Sequence, residues 1–316
     1  MPGALWNRRE RIFDPTAEPM KRTSRLLLKT ADSLAFLAQK IRGGARKAAV
    51  EAALSLDDCE RCNWENVRPC FVLSTGRCGT LMLTNLLLTS KNAFPVHQPR
   101  PELVRASKLA YENISRTPEL YREVFKSARE EYLLEAAQRQ QVFIETNNRI
   151  TFFAPIIRDV FPNAVFIHLV RHPGDFVRSG MRRGWYTGGH DHDIGRITPV
   201  NTAPLVKWQQ ASRIEKIAWL WNETNSFVEQ LKRRLHSEQT LTVKAEDLFS
   251  EPSTLKRIFL FLQLRGFDRK TVHAMLARPA NAQRKGSFPS YLDWSDKDKH
   301  KLKEWVPLAS QYSYVL

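Results

Sequence analysis

Ser74-Thr75-Gly76-Arg77-Cys78-Gly79-Thr80 carries the side chains and the backbone freedom that an anion requires. Gly76 and Gly79 let the chain turn tightly and bring bare N–H groups to phosphate oxygens, Arg77 adds a fixed cation, and Thr80 adds a hydroxyl. A Walker A loop needs four residues between its glycines and a Lys before its last hydroxyl. This loop has two residues between its glycines and no Lys, which argues against an ATP- or GTP-hydrolysing machine. A second group lies a hundred residues on, in Arg171-His172-Pro173-Gly174-Asp175-Phe176-Val177-Arg178-Ser179. Pro173 suits the first turn of a helix, so Arg171 and Ser179 can converge only on a group held beside that helix's first segment. A phosphate there would take charge-assisted bonds from Arg171 and one bond from the hydroxyl.

Both groups follow apolar runs that must position them. Cys70-Phe71-Val72-Leu73 is a buried-strand candidate, and Thr80 to Leu88 reads as an apolar helix after the turn. Val142-Phe143-Ile144, Val165 to Val170 and Leu241-Thr242-Val243 are further strand candidates. Between them the pattern predicts a helix around Phe152 to Val160 that Pro162 closes, and a long Trp-bearing helix from about Val206 to Leu235. Pro252 starts another, through Ile258, Phe259 and Leu262. Strands that are apolar without alternation, interleaved with helices, predict an α/β fold: a three-layer parallel sheet flanked by helices. The Gly-rich turn then falls where such sheets bind ligands, between a strand's carboxyl end and a helix's amino end.

With those residues in place the chain resembles the sulfotransferases that use 3′-phosphoadenosine 5′-phosphosulfate. Their first loop, P-[KR]-[SC]-G-T, is similar to Gly76-Arg77-Cys78-Gly79-Thr80, with Gly76 where many members have Pro. Their R-x-P-x-x-x-x-x-S segment matches Arg171 through Ser179 at each fixed position, and Arg284-Lys285-Gly286 followed by Trp294 resembles their later R-K-G element. Thr242-Val243-Lys244-Ala245-Glu246-Asp247-Leu248 resembles their V-R-Y-E-D-L segment. The likeness runs from residue 70 to about 295 and implies a P-loop-like sulfotransferase architecture. It also implies 3′-phosphoadenosine 5′-phosphosulfate as co-substrate without a metal. The 5′-phosphosulfate would meet Thr75, Gly76, Arg77, Cys78, Gly79, Thr80 and Leu81, and the 3′-phosphate would meet Arg171, Ser179, Arg284, Lys285 and Gly286.

Sulfuryl transfer needs a clamp on the leaving phosphate, for which Arg77 is the natural residue, and a base for the acceptor proton. Members acting on sugars or tyrosine often carry a Glu in a segment resembling H-E-P, where this chain has His97-Gln98-Pro99; Gln98 cannot take a proton. His97 ranks first as base, then Glu145 and Glu102, with His97 and Glu102 expected in a loop over the sheet's carboxyl edge. The His97-Gln98-Pro99 segment looks closer to carbohydrate-acting members, so a carbohydrate or glycoconjugate hydroxyl is the expected acceptor. Peptide tyrosine, a lipid, or a noncatalytic nucleotide-binding scaffold are the alternatives, the last because Gln98 and Asn147 stand where bases often stand.

The 316 residues, 42% hydrophobic with 13 Gly and 17 Pro, exclude fibrous and globally disordered classes. A net charge of +16 calls for an anionic partner. Nucleic acid becomes the minor candidate, since no aromatic-basic RNA motif accompanies the charge. Residues 1–50 hold 11 Lys or Arg against 4 Asp or Glu. Residues 1–66 are therefore read as a basic, partly helical extension, and residues 67–316 as the sulfotransferase domain. The stripe through Leu26, Leu34, Leu37 and Ile41 suits either the protein's own core or peripheral membrane contact through residues 20–50. No transmembrane run or signal-peptide apolar region is legible, so a cytoplasmic location is expected. Cys59 and Cys62 lack the second pair that a zinc site needs, and His190, Asp191 and His192 sit in a Gly-rich run better read as a loop. His168 is expected to be structural, at least one of Trp219 and Trp221 to be core, and Trp185-Tyr186 either to stack on a ligand or to pack.

Overall fold

A computed structural model describes residues 67–113, 117–188, 193–276 and 287–316. The chain divides between Asp57 and Asp58, and every described residue belongs to the second unit. The basic extension, Cys59, Cys62, His190 to His192 and Arg284 to Gly286 lie outside the described residues.

The first half of the fold runs β1 (Cys70–Leu73), α1 (Thr80–Leu87), β2 (Ala93–His97), α2 (Val104–Asn113), α3 (Pro118–Gln138), β3 (Val142–Thr146), a 3-10 segment (Asn148–Phe153) and α4 (Ala154–Val160). It continues through β4 (Val165–Val170), α5 (Pro173–Arg182), α6 (Thr202–Gln210), α7 (Arg213–Lys232) and β5 (Thr240–Lys244). Then follow α8 (Ala245–Ser250), α9 (Pro252–Phe261), α10 (Arg269–Leu276) and α11 (Asp296–Trp305). The five strands form one parallel sheet in the order β2-β3-β1-β4-β5. β1 is central, and the chain leaves it toward β2 on one side and later crosses to β4 on the other. The carboxyl ends of β1, β3 and β4 therefore meet at the switch point where a parallel sheet opens a crevice.

All four residues of β1 are buried. Cys70 and Val72 pack with Leu83 and Leu86 of α1 and Leu255, Ile258 and Phe259 of α9. Phe71 and Leu73 face the other layer, with Phe125 and Leu133 of α3, Ile157 of α4 and Val228 of α7. Phe71 sits among four other rings, with centroids 5.7 Å from Phe125, 6.0 Å from Phe143, 6.1 Å from Phe161 and 6.3 Å from Phe166. Removing such a ring costs ~3–5 kcal/mol. A third cluster joins α5 and α7 to the C-terminal region through Phe176, Trp185, Trp221, Trp294 and Leu302.

Four strands stand where the apolar runs predict them. The fifth, β2, replaces the loop expected around His97: Pro95 cannot donate to a ladder, but an edge strand tolerates it. The long helix expected from Val206 to Leu235 is two helices, α6 and α7. The chain breaks at Ala211-Ser212, where the Ser212 amide donates to Glu215 Oε2 at 2.7 Å, a helix start inside the apolar pattern. Phe152 and Phe153 end the 3-10 segment, so the predicted helix begins only at Ala154.

Candidate active site

The turn after β1 is tied down before it meets any ligand. Thr151 of the 3-10 segment accepts from the Ser74 amide at 3.2 Å and donates to the Ser74 carbonyl at 3.1 Å. Gly76, Arg77 and Gly79 then take positive φ values of 80°, 58° and 88°. For Arg77 that conformation is strained, and such strain persists where the surroundings impose it. A Cβ on Gly76 would stand 2.8 Å from Asn148 Nδ2, and one on Gly79 would stand 2.4 Å from Phe249 Cζ. The loop is thus boxed between an amide and an aromatic ring, with the amino end of α1 beyond it.

The two sequence groups meet across 102 residues of chain. Arg77 Nε donates to Ser179 Oγ at 3.3 Å. Arg171 Nη1 donates to the Arg77 carbonyl at 2.7 Å, and its Nη2 lies 3.6 Å from Asp175. Arg171 is held from behind by Trp221, whose indole N–H donates to the Arg171 carbonyl at 2.8 Å. The next residue is held by Glu246, which accepts from the His172 amide at 2.9 Å and from the Tyr314 hydroxyl at 2.8 Å. The Glu246-Asp247 segment therefore anchors the start of α5. Gly174 serves the same packing, since a Cβ there would meet the Tyr291 ring at 2.4 Å. Burial, with Arg183 and Arg171 adding to it, pulls the Arg77 guanidinium down to about 10. It stays charged near neutrality, but in a crowd of cations that an anion would relieve.

Cys78 does not show its side chain to this space. It is buried, its Sγ donates to the Gly76 carbonyl at 3.1 Å, and burial pushes its thiol up to about 11. The thiol shapes the loop and is no nucleophile.

A cavity of about 830 Å³ opens over these groups. Ser74, Thr75, Gly76, Arg77, Gly79, Thr80, Leu81, Arg171 and Ser179 line it, and so does His97. His97 ends β2, and its Nδ1 lies 3.0 Å from Thr146 Oγ1 at the end of β3. Thr146 Oγ1 is in turn 2.5 Å from Thr84 Oγ1, and Thr84 donates its proton to the Thr80 carbonyl at 2.9 Å. In the arrangement where Thr84 gives its proton to Thr80, Thr146 donates to Thr84 and His97 Nδ1 donates to Thr146. That arrangement of hydroxyls favours the Nδ1–H tautomer, with Nε2 as the ring's acceptor. Burial, with Arg149 adding to it, holds the His97 pKa below the ordinary imidazole value, so the ring is neutral and able to take a proton at neutral pH.

The other two base candidates are occupied. Glu145 is fully buried and does not line the cavity. It takes a two-pronged ion pair from the equally buried Arg129, at 2.6 and 2.8 Å, plus a bond from Asn147 at 3.0 Å. Arg129 also donates to the Pro101 carbonyl at 3.0 Å. Glu145 in this arrangement fastens the end of β3 to the loop before α2. Glu102 is ion-paired with Arg149 and also stays out of the lining.

Trp185 packs edge-on against Phe176 at 5.3 Å while lining the cavity, under Arg196 at 3.8 Å; Tyr186 donates to the Ile197 carbonyl. His168 is structural, with Nε2 2.9 Å from Asn225 Oδ1, and Trp221 is core. Among the described residues, no three His, Cys, Asp or Glu gather as a metal would need, and no helix is long and apolar enough to cross a membrane. The lining also contains Arg105, Arg149, Arg178, Arg182, Arg183, Arg196, Ser107 and Phe249, none of which sequence reasoning singled out for ligand binding. Phe249 had a signal: it directly follows the Glu246-Asp247-Leu248 segment.

A model described as "Sulfotransferase family" matches residues 69–269, well over half of the chain. The fold is similar to the sulfotransferase domain from the Synechococcus PCC 7002 olefin synthase, at 19% identity over 80% of this chain and 98% of that one, with a TM-score of 0.45. A sulfotransferase from Alicyclobacillus acidocaldarius is 15% identical over 79% of this chain and 98% of that one, with a TM-score of 0.47. Mouse sulfotransferase SULT7A1 complexed with PAP is 12% identical over 79% and 88%, with a TM-score of 0.43. No curated protein matches the chain.

Proposed function

The chain belongs to the sulfotransferase family, and from that premise we propose that it moves a sulfuryl group from 3′-phosphoadenosine 5′-phosphosulfate to a hydroxyl of a carbohydrate or glycoconjugate acceptor. The observation that carries this reading is the convergence of Arg77, Arg171 and Ser179, cross-bonded at the carboxyl ends of β1 and β4, in one cavity with a neutral His97. Ser179 and Arg171 suit the 3′-phosphate. Arg77, Thr80 and the amino end of α1 suit the phosphosulfate. Phe249, two-fifths exposed beside Gly79, offers a flat apolar face for the adenine.

When bound, the donor supplies an activated sulfuryl group whose leaving group is a phosphate. Arg77 and the first amides of α1 hold the charge that gathers on that phosphate, preorganised by the strained loop and by Thr151. His97 Nε2 takes the proton from the acceptor hydroxyl, while Thr146 keeps the ring's other proton on Nδ1. Arg284, Lys285 and Gly286 are proposed to complete the 3′-phosphate contacts. The first test is calorimetric titration with 3′,5′-adenosine bisphosphate. Micromolar or tighter binding, weakened at least tenfold in Arg171→Ala, supports the assignment; folded protein with no affinity for the nucleotide overturns it.

A further inference from the structure

The cavity holds more positive charge than one donor requires. Eight arginines line it, Arg77, Arg105, Arg149, Arg171, Arg178, Arg182, Arg183 and Arg196, against Asp175 in the lining and Glu102 and Asp193, which pair with Arg149 and Arg196 from just outside it. The donor proposed above carries about four negative charges, roughly two of them on the 3′-phosphate. Two groups stand apart among the arginines. Arg171 and Arg183 act on Arg77, at the donor end. Arg149 acts on both Arg196 and His97, at the other end.

The second group gathers around the amino end of α2. Arg149 pairs with Glu102, two residues before that helix. Arg196 follows Gly195, which approaches α2 so closely that a Cβ would stand 2.1 Å from Val104 Cγ1. Arg105 and Ser107 come from the first turn of α2 itself, and both line the cavity. Ser107 is 98% buried, yet its Oγ has no hydrogen-bond partner among the described residues. A buried hydroxyl without a partner costs free energy, and here it belongs to a lining residue in the first turn of a helix whose first amides have no helical acceptor.

We infer that the amino end of α2, with Arg105, Ser107, Arg149 and Arg196, is an anion subsite that recognises an acidic sugar acceptor, through a carboxylate or sulfate on the unit next to the hydroxyl being sulfated. The inference rests on the donor reading above, which leaves this end of the cavity for the acceptor. An anion bound there neutralises the charge that the donor does not, and sets the acceptor hydroxyl beside His97 rather than beside the 3′-phosphate residues. The subsite disfavours neutral acceptors by leaving Ser107 and Arg105 without the anion they suit.

The test uses the full chain saturated with 3′,5′-adenosine bisphosphate, whose own titration reports on the donor reading separately. Unsulfated chondroitin hexasaccharide, its carboxyl-reduced form, and a carboxyl-reduced but 4-sulfated form are then titrated at one salt concentration. The acidic hexasaccharide is expected to bind at least tenfold tighter than the carboxyl-reduced one, with Arg105→Ala and Ser107→Ala each weakening it about fivefold or more and leaving nucleotide affinity unchanged. Arg105 is exposed, so its replacement leaves folding intact. Recovery of binding by the sulfated form assigns the subsite to sulfate as well as carboxylate. Equal binding of the acidic and reduced forms, indifference to both substitutions, or displacement of the acidic form by the nucleotide overturns the subsite. A chain that binds no nucleotide overturns the donor reading, and the subsite with it.

Discussion

Thr146→Val removes the atom that fixes His97 while keeping the side chain's shape. In the Nδ1–H tautomer Thr146 Oγ1 accepts from His97 Nδ1 at 3.0 Å, so the valine removes that acceptor and weakens the hold on the ring's proton. A neutral hydrogen bond of this kind is worth ~1 ± 0.5 kcal/mol net, and each ~1.4 kcal/mol is a factor of ten in rate. The expected result is a fall in kcat/KM of roughly twofold to tenfold, centred near fivefold and carried by kcat, with the nucleotide Kd unchanged. Thermal melting, followed at an assay temperature well below the transition, separates this from loss of folded protein. In a His97→Ala background the same substitution is expected to change nothing, because the group it positions is gone. Wild-type kcat/KM in Thr146→Val, or an equal loss in both backgrounds, would refute the reasoning about the tautomer.

Glu145→Gln breaks a fully buried ion pair and leaves Arg129 uncompensated, so unfolding free energy should drop by ~3–5 kcal/mol in a denaturant titration. Activity per folded molecule should stay within a few-fold; its complete loss would restore Glu145 as a base. The pH profile of kcat/KM should have an acid limb below the ordinary imidazole value, since His97 is depressed. Activity is then full at neutral pH and is lost as pH falls through the shifted pKa, and a limb above neutrality would contradict the burial argument. Gly79→Ala forces a side chain into a positive φ of 88° and against Phe249, so nucleotide affinity should fall by at least tenfold in the calorimeter.

What the sequence revealed follows from the range of each interaction. Cys70 to Leu73 and Val165 to Val170 are legible as buried strands because every residue is apolar, as a sheet covered on both faces demands. The Gly76-to-Thr80 turn and the Arg171-to-Ser179 pair are legible because their chemistry is local to one turn each. Pro95 hid β2, since a lone Pro reads as a break unless the strand is known to lie at an edge. Ser212 hid the break between α6 and α7 because the apolar pattern runs on past it. Glu145 looked like a base because its partner Arg129 comes from the preceding helix, and no spacing rule joins the two. The arginine-lined cavity was illegible for the same reason. Arg105, Arg149, Arg178 and Arg196 come from separate elements, and only the sheet's topology gathers them.

The central claim is transfer itself, and radiolabelled sulfate in the nucleotide donor tests it directly. Incubated with a panel of acidic and neutral glycans, the wild-type chain should move label onto an acidic member, and Arg77→Ala should cut that rate by roughly 10²–10³-fold or more, as loss of the group that holds the leaving phosphate's charge requires. Label that stays on the nucleotide with every acceptor, while the folded protein binds 3′,5′-adenosine bisphosphate tightly, would contradict the account and make the fold a nucleotide-binding scaffold.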